Sequence, residues 1–129
     1  MSTDAAPIIE PRAQSLNAVR DIIPEVCYER PTAPAVRALI RAWVVYVVTI
    51  AALAAVHSWW GVILLWIAAG LAVSGLFVLG HDASHGALTS SRKANRILAQ
   101  VCMGPSIHVE SAWDLGHNRI HHGFTTRQG

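Results

Sequence analysis

Residues 42–80 read AWVVYVVTIAALAAVHSWWGVILLWIAAGLAVSGLFVLG and contain no Asp, Glu, Lys or Arg. As continuous helix these 39 residues would run ~58 Å, about twice the ~30 Å hydrocarbon core of a bilayer. One span cannot use that length, whereas two can. The break falls at HSWWG, where His57, Ser58 and Gly61 permit a turn and Trp59 and Trp60 suit the aromatic belt at a membrane surface. The expected arrangement is therefore a helical hairpin with spans at about 36–56 and 60–80.

The charged residues agree with this reading. All ten Lys and Arg lie outside the stretch: Arg12, Arg20, Arg30, Arg37 and Arg41 precede it, and Arg92, Lys93, Arg96, Arg119 and Arg127 follow it. A hairpin returns both groups to one side, which the positive-inside rule makes cytoplasmic. A soluble helical hairpin is disfavoured, because too little other chain remains to cover two apolar helices. The net charge of +2 and the absence of a basic run give no indication of nucleic-acid binding. Cys27 and Cys102 are single, widely spaced and read as reduced.

Outside the hairpin the chain divides further. Residues 1–14, with Pro7 and Pro11, read as a flexible tail, and 15–129 as one domain. In SLNAVRDIIP, Leu16, Val19, Ile22 and Ile23 share a helical face, Ser15 can cap it and Pro24 would end it, giving a short interfacial helix. Pro34 suits the first turn of the first span. Gly70 and Ser74 have the four-residue spacing that lets a second helix approach closely. The uncharged segment 97–109, broken by Gly104 and Pro105, is too short to cross and reads as interfacial or re-entrant.

Histidine placement carries the chemistry. His57 in the hairpin turn and His108 read as amphipathic surface residues. His81 and His85 are one helical turn apart as the second span ends, so their imidazoles share a face and can share a metal. His117 and His121 repeat that spacing, and His122 adds an imidazole on an adjacent face. A ligating histidine usually gives its other N–H to a carboxylate or carbonyl, a part for which Asp82 and Asp114 are candidates and Glu110 a lesser one. Imidazole alone does not select among Zn, Cu, Fe and Ni, but five such nitrogens exceed the need of one tetrahedral zinc.

With these residues in view, GHDASHGALTSS (80–91) followed by HNRIHH (117–122) resembles the first and second histidine boxes of the membrane-bound fatty acid desaturases, H-x₃₋₄-H and H-x₂₋₃-H-H. IIPEVCYERP (22–31) is similar to the stretch preceding the first span in the acyl-lipid Δ12 and ω3-type branch, although HDASH lacks the Cys-Gly common in that branch's first box. The resemblance covers about residues 17–129. It implies an all-α, four-span membrane fold with a di-iron centre, two iron ions held by His81, His85, His117, His121 and His122. It also implies an O2-dependent oxidoreductase that introduces a double bond into a lipid acyl chain, served by a ferredoxin or cytochrome b5-type electron donor. The membrane would be a bacterial inner membrane or the endoplasmic reticulum. The family's third box, [HQ]-x-x-H-H, has no counterpart in these residues. The expectation is accordingly an N-terminal portion of a longer desaturase, inactive alone. The alternatives are a related di-iron hydroxylase or ketolase and a non-catalytic membrane metal-binding protein.

Overall fold

The computed structural model describes residues 18, 20–30 and 32–124. The expected tail at 1–14, together with Ser15, Leu16 and Val19, lies outside the described residues. Two long helices dominate: α1 (Thr32–Ala55) and α2 (Trp59–Ser84). Both are long and apolar enough to cross a membrane. No strand occurs among the described residues. The chain is thus all-α, as expected.

The hairpin turn is confined to Val56, His57 and Ser58, so Trp59 and Trp60 already belong to α2, where they stand exposed. Gly61 allows this tightness, because a Cβ there would fall 2.6 Å from Val56 Cγ2 and 2.7 Å from Ser58 Oγ. At the other end α2 runs past the expected residue 80 to Ser84. It stops in a Schellman motif: Gly86 takes φ +71°, its N–H donates to Ala83 O at 2.8 Å, and that of Ala87 to Asp82 O at 2.9 Å. His81 and Asp82 are consequently helical residues with fixed directions.

The chain then reverses. Asn95 accepts from the Thr89 N–H at 2.9 Å and from its hydroxyl at 3.0 Å, and returns its own amide N–H to Thr89 O at 2.8 Å. Ser91 caps α3 (Arg92–Met103) by accepting from the Ala94 N–H. Helix α3 lies along α2, burying Ala99, Cys102 and Met103 completely. The core sits at this end of the hairpin, where Leu39 of α1, Leu76 of α2 and Cys102 of α3 meet, flanked by Trp43, Tyr46 and Leu79. Cys102 is reduced, as is exposed Cys27.

Two local expectations change and a third is sharpened. Helical geometry ends at Arg20, where Ile23 N–H closes a turn on Arg20 O. Ile22 and Ile23 therefore stand outside any helical face, since Pro24 disfavours helical backbone at Ile23. Residues 97–103 belong to α3, packed against α2, and only Gly104–Ser106 form the expected break, as a single 3₁₀ turn. Close helix approach occurs at Gly80 and not at Gly70. A Cβ on Gly80 would lie 2.8 Å from Met103 Cγ and 3.3 Å from Ala99 O, whereas Gly70 has nothing within 4 Å. Ser74 donates its hydroxyl to Gly70 O instead.

Candidate metal centre

His81 occupies the last turn of α2 and His85 its C-cap. The second cluster arrives after α3, on α4 (Glu110–Trp113), a π-helical stretch (Asp114–His121) and α5 (His122–Phe124). Helix α3 runs back along α2 from the Gly86 turn, and a second reversal at Gly104–Ser106, with Ile107 at φ +61°, returns the last segment to the C-terminal end of α2.

The histidine rings meet through their Nε2 atoms. His81 Nε2 lies 3.0 Å from His117 Nε2 and 3.2 Å from His85 Nε2. His122 Nε2 lies 3.2 Å from His117 Nε2. Ligand atoms of His81, His85 and His117 all fall within 4.8 Å of one another. A neutral imidazole nitrogen carries either one hydrogen or one lone pair. His81 Nε2 and His117 Nε2, each facing two others, can therefore form at most one good N–H···N bond apiece. A cation accepting all the lone pairs resolves that conflict, so the donor set fits a metal that takes imidazole.

Tautomer control points the same way. Asp82 Oδ1 lies 3.2 Å from His81 Nδ1, so an N–H on Nδ1 donates to the carboxylate and leaves Nε2 with its lone pair. Asp114 is placed differently. Its Oδ2 accepts from Arg119 Nε and Nη2 at 3.1 and 3.0 Å, and its Oδ1 from Asn118 Nδ2 at 3.2 Å. Glu110, almost buried, pairs with Arg96 at 3.5 Å. Neither of these two carboxylates touches a histidine.

The winding of 114–121 decides which histidines converge. An α-helix would align His117 with His121, four apart, but a π-helix closes i to i+5, and His122 N–H donates to His117 O. His117 therefore aligns with His122. His121 is set beside this group, its ring stacked 5.3 Å from that of His117 and reaching none of the Nε2 contacts. Asp114 and Arg119, also five apart, pair for the same reason.

Aromatic neighbours complete the surroundings. Trp113 stacks on His117 at 4.4 Å and 23°, and meets Phe77 edge-on at 4.9 Å. His108 lies 4.9 Å from Phe77 and 5.6 Å from Trp113, with Nδ1–H donating to Ser106 O. It is exposed, in keeping with its reading as a surface residue, and it borders the aromatic side of the site. Trp113, Asn118 and Phe77 were not singled out by spacing; a tryptophan four residues before His117 is the one signal that could have marked them. Ile107, Val109, Ala112 and Trp113 form the apolar wall of a cavity of about 500 Å3 that ends on His117 and His121. His57, at the far end of α2, is ~36 Å along the helix from His81.

Electrostatics favour uncharged rings at His85 and His117. Burial, then the charges of His81 and His122, hold the His85 imidazole below the ordinary histidine range, with Asp82 pulling the other way. Burial and then the surrounding His122, His81, His121 and His85 lower His117 likewise. Neutral imidazole is the form that ligates metal.

Comparison with known proteins follows the same lines. The profile of the family described as "Fatty acid desaturase" matches residues 57–129, which include the whole histidine cluster. The omega-3 fatty acid desaturase fat-1 of Caenorhabditis elegans is 30% identical over 129 residues, covering 96% of this chain and 32% of that protein. An endoplasmic-reticulum omega-3 fatty acid desaturase of Vigna radiata var. radiata is 31% identical over 81% of this chain and 27% of its own length. An sn-1 oleoyl-lipid 12-desaturase of Synechocystis sp. is 28% identical over 80% of this chain and 30% of its own. This chain thus spans under a third of the length of these curated relatives. No solved structure matches it. With two apolar helices ending in a knot of imidazoles and a family profile that covers those imidazoles, this chain belongs to the fatty acid desaturase family.

Proposed function

We propose that this chain is the N-terminal part of a membrane enzyme that introduces a double bond into a lipid acyl chain at a histidine-ligated di-iron centre. The observation that carries the reading is the convergence of Nε2 atoms from His81, His85, His117 and His122. His121 completes the proposed ligand set from the adjacent face, and the remaining ligands of two irons would come from further chain. Bound iron would supply the O2 activation needed to remove hydrogen from an unactivated methylene.

The chain's own residues perform the supporting tasks. Asp82 holds the His81 tautomer, and Trp113 covers the face of His117. The apolar cavity beside His117 and His121 is suited to a segment of acyl chain, which needs no polar partner. Both cationic groups of the sequence flank the histidine end of the hairpin, which we read as cytoplasmic. There an electron donor of ferredoxin or cytochrome b5 type can dock while the acyl chain enters from the lipid. A bacterial inner membrane and the endoplasmic reticulum both satisfy this arrangement.

The test is to express the complete reading frame containing these residues and analyse the host lipids by gas chromatography and mass spectrometry. New monoenes or dienes are expected, and they should vanish in His81→Ala and His117→Ala variants. A hydroxylated product would assign the centre to a hydroxylase. Iron binding with no lipid product and no O2 consumption would leave a metal-binding protein without oxidation chemistry.

A further inference from the structure

A second cavity, of about 670 Å3, opens on the other side of His85, between the Gly86 turn and α3. Four cationic side chains line it: Arg30 from the stretch before α1, and Arg92, Lys93 and Arg96 from the first two turns of α3. Arg30 reaches over the turn, its Nη1 only 3.9 Å from where a Cβ on Gly86 would stand. Two carboxylates also border the cavity, and both are engaged, Glu110 with Arg96 and Asp114 with Arg119. Among the described residues, Arg30, Arg92 and Lys93 have no ion pair.

This placement is unfavourable in the free protein. Cations at a helix N-terminus oppose the macrodipole, and Arg92 with Arg96 forms a like-charge pair four residues apart. An anion in the cavity removes both penalties. What the anion is attached to can be read from the adjoining surface. A shallow apolar groove shares Arg96 and Glu110 with the cavity and continues over Ile97 and Val101, which are 54% and 47% exposed. A ligand that fills both has a charged head and an apolar stem. The cavity also borders Ala83 and Ser84, one turn beyond the last residue of the charge-free stretch, the level at which headgroups are expected. We propose that this cavity binds the phosphate of a phosphoglycerolipid, with Arg30, Arg92 and Lys93 on the phosphate and one acyl stem along Ile97 and Val101.

The site uses neither metal nor turnover, so it can be tested apart from the desaturase reading. The complete reading frame containing these residues is expressed, purified in uncharged maltoside micelles and titrated with dioleoyl phosphatidylglycerol, an uncharged glycosyl diacylglycerol, or inorganic phosphate, with lipid occupancy read by native mass spectrometry. Expected is saturable binding of one phosphatidylglycerol that the glycosyl lipid does not displace. The doubly substituted Arg92→Gln, Lys93→Gln chain should bind about tenfold more weakly or worse. Arg37→Gln with Arg41→Gln, cations of α1 that do not line the cavity, should change binding less than about twofold. Circular dichroism should report equal helix content, since all four side chains are exposed.

Equal weakening by both double substitutions would mean diffuse surface charge and overturn the proposal. Displacement by the glycosyl lipid would assign binding to the stem alone, and inorganic phosphate binding as tightly as the lipid would make the ligand a free anion. If the Arg92, Lys93 variant keeps lipid binding but loses association with an acidic ferredoxin, the cavity is a protein-docking site. Each of these outcomes overturns the lipid assignment.

Discussion

His81 and His117 stand 36 positions apart in sequence and hold their Nε2 atoms 3.0 Å apart. That contact joins the end of α2 to the π-helical stretch, and it depends on the whole reversal through α3. It also marks where the centre is vulnerable, since its two halves are supported by different parts of the chain.

Replacing Asp82 with Asn should weaken metal binding while leaving the fold intact. The carboxylate opposite His81 Nδ1 is half-exposed, so its loss costs little stability, but it no longer fixes the lone pair on Nε2. Anaerobic Fe(II) titration should show affinity reduced about 10- to 100-fold, the usual effect of removing such a partner. Unchanged affinity would mean that another group orients His81.

Asn95→Ala should destabilise the chain and, through it, the centre. Asn95 is buried and satisfies the N–H, hydroxyl and C=O of Thr89 in the reversing loop. Stranding these groups costs about 3 kcal/mol. The substitution should lower the thermal midpoint and also reduce metal uptake, because the loop aims α3. Normal metal uptake by a destabilised variant would separate the two roles.

Glycine substitutions should divide by position along α2. Gly80→Leu forces Met103 and the α3 backbone away from a point of contact already tighter than 3.4 Å, at a cost of about 1–3 kcal/mol. Gly70→Ala and Gly75→Ala meet nothing within 4 Å and should be neutral or stabilising in this chain by up to about 1 kcal/mol. The check is denaturant unfolding in micelles. A destabilising Gly70→Ala would show that the four-residue spacing with Ser74 is used after all.

Acid should loosen the metal-free chain. His85 and His117 are held below the histidine value of 6.5, so in the folded state they take up protons less readily than when unfolded. Between pH 6.5 and their depressed folded values the unfolded chain binds more protons, and stability falls as pH falls through that window. Above it both states are neutral at these rings and the effect is absent. Thermal midpoints measured from pH 7.5 to 5 should decline, and the decline should flatten in a His85→Gln, His117→Gln chain. Bound metal should also be released as pH falls, at a lower pH the more tightly it binds, since protons compete for the same lone pairs.

The hairpin and the two histidine clusters were legible in the linear chain because each rests on a local pattern. A charge-free run twice the thickness of a bilayer allows little besides two helices, and His81 with His85 share a face by helical period alone. Which glycine carries the close approach was not legible. Gly70 and Gly80 have the same freedom on paper, and only the path of α3 across Gly80 distinguishes them. Register in the second cluster was hidden for a related reason: π-winding over Asp114–His121 turns a four-residue match into a five-residue one, and nothing in HNRIHH announces the extra residue per turn.

The solvent, the helices and the kind of donor atom follow from hydropathy, period and side-chain chemistry summed over neighbours in the chain. That His122 rather than His121 faces His117, that Trp113 covers the site, and that Arg30 joins Arg92 and Lys93 around one cavity emerge only in the folded chain. Those are contacts between residues remote in sequence or altered in helical phase. Their geometry is set by how α3 packs against α2 and not by spacing.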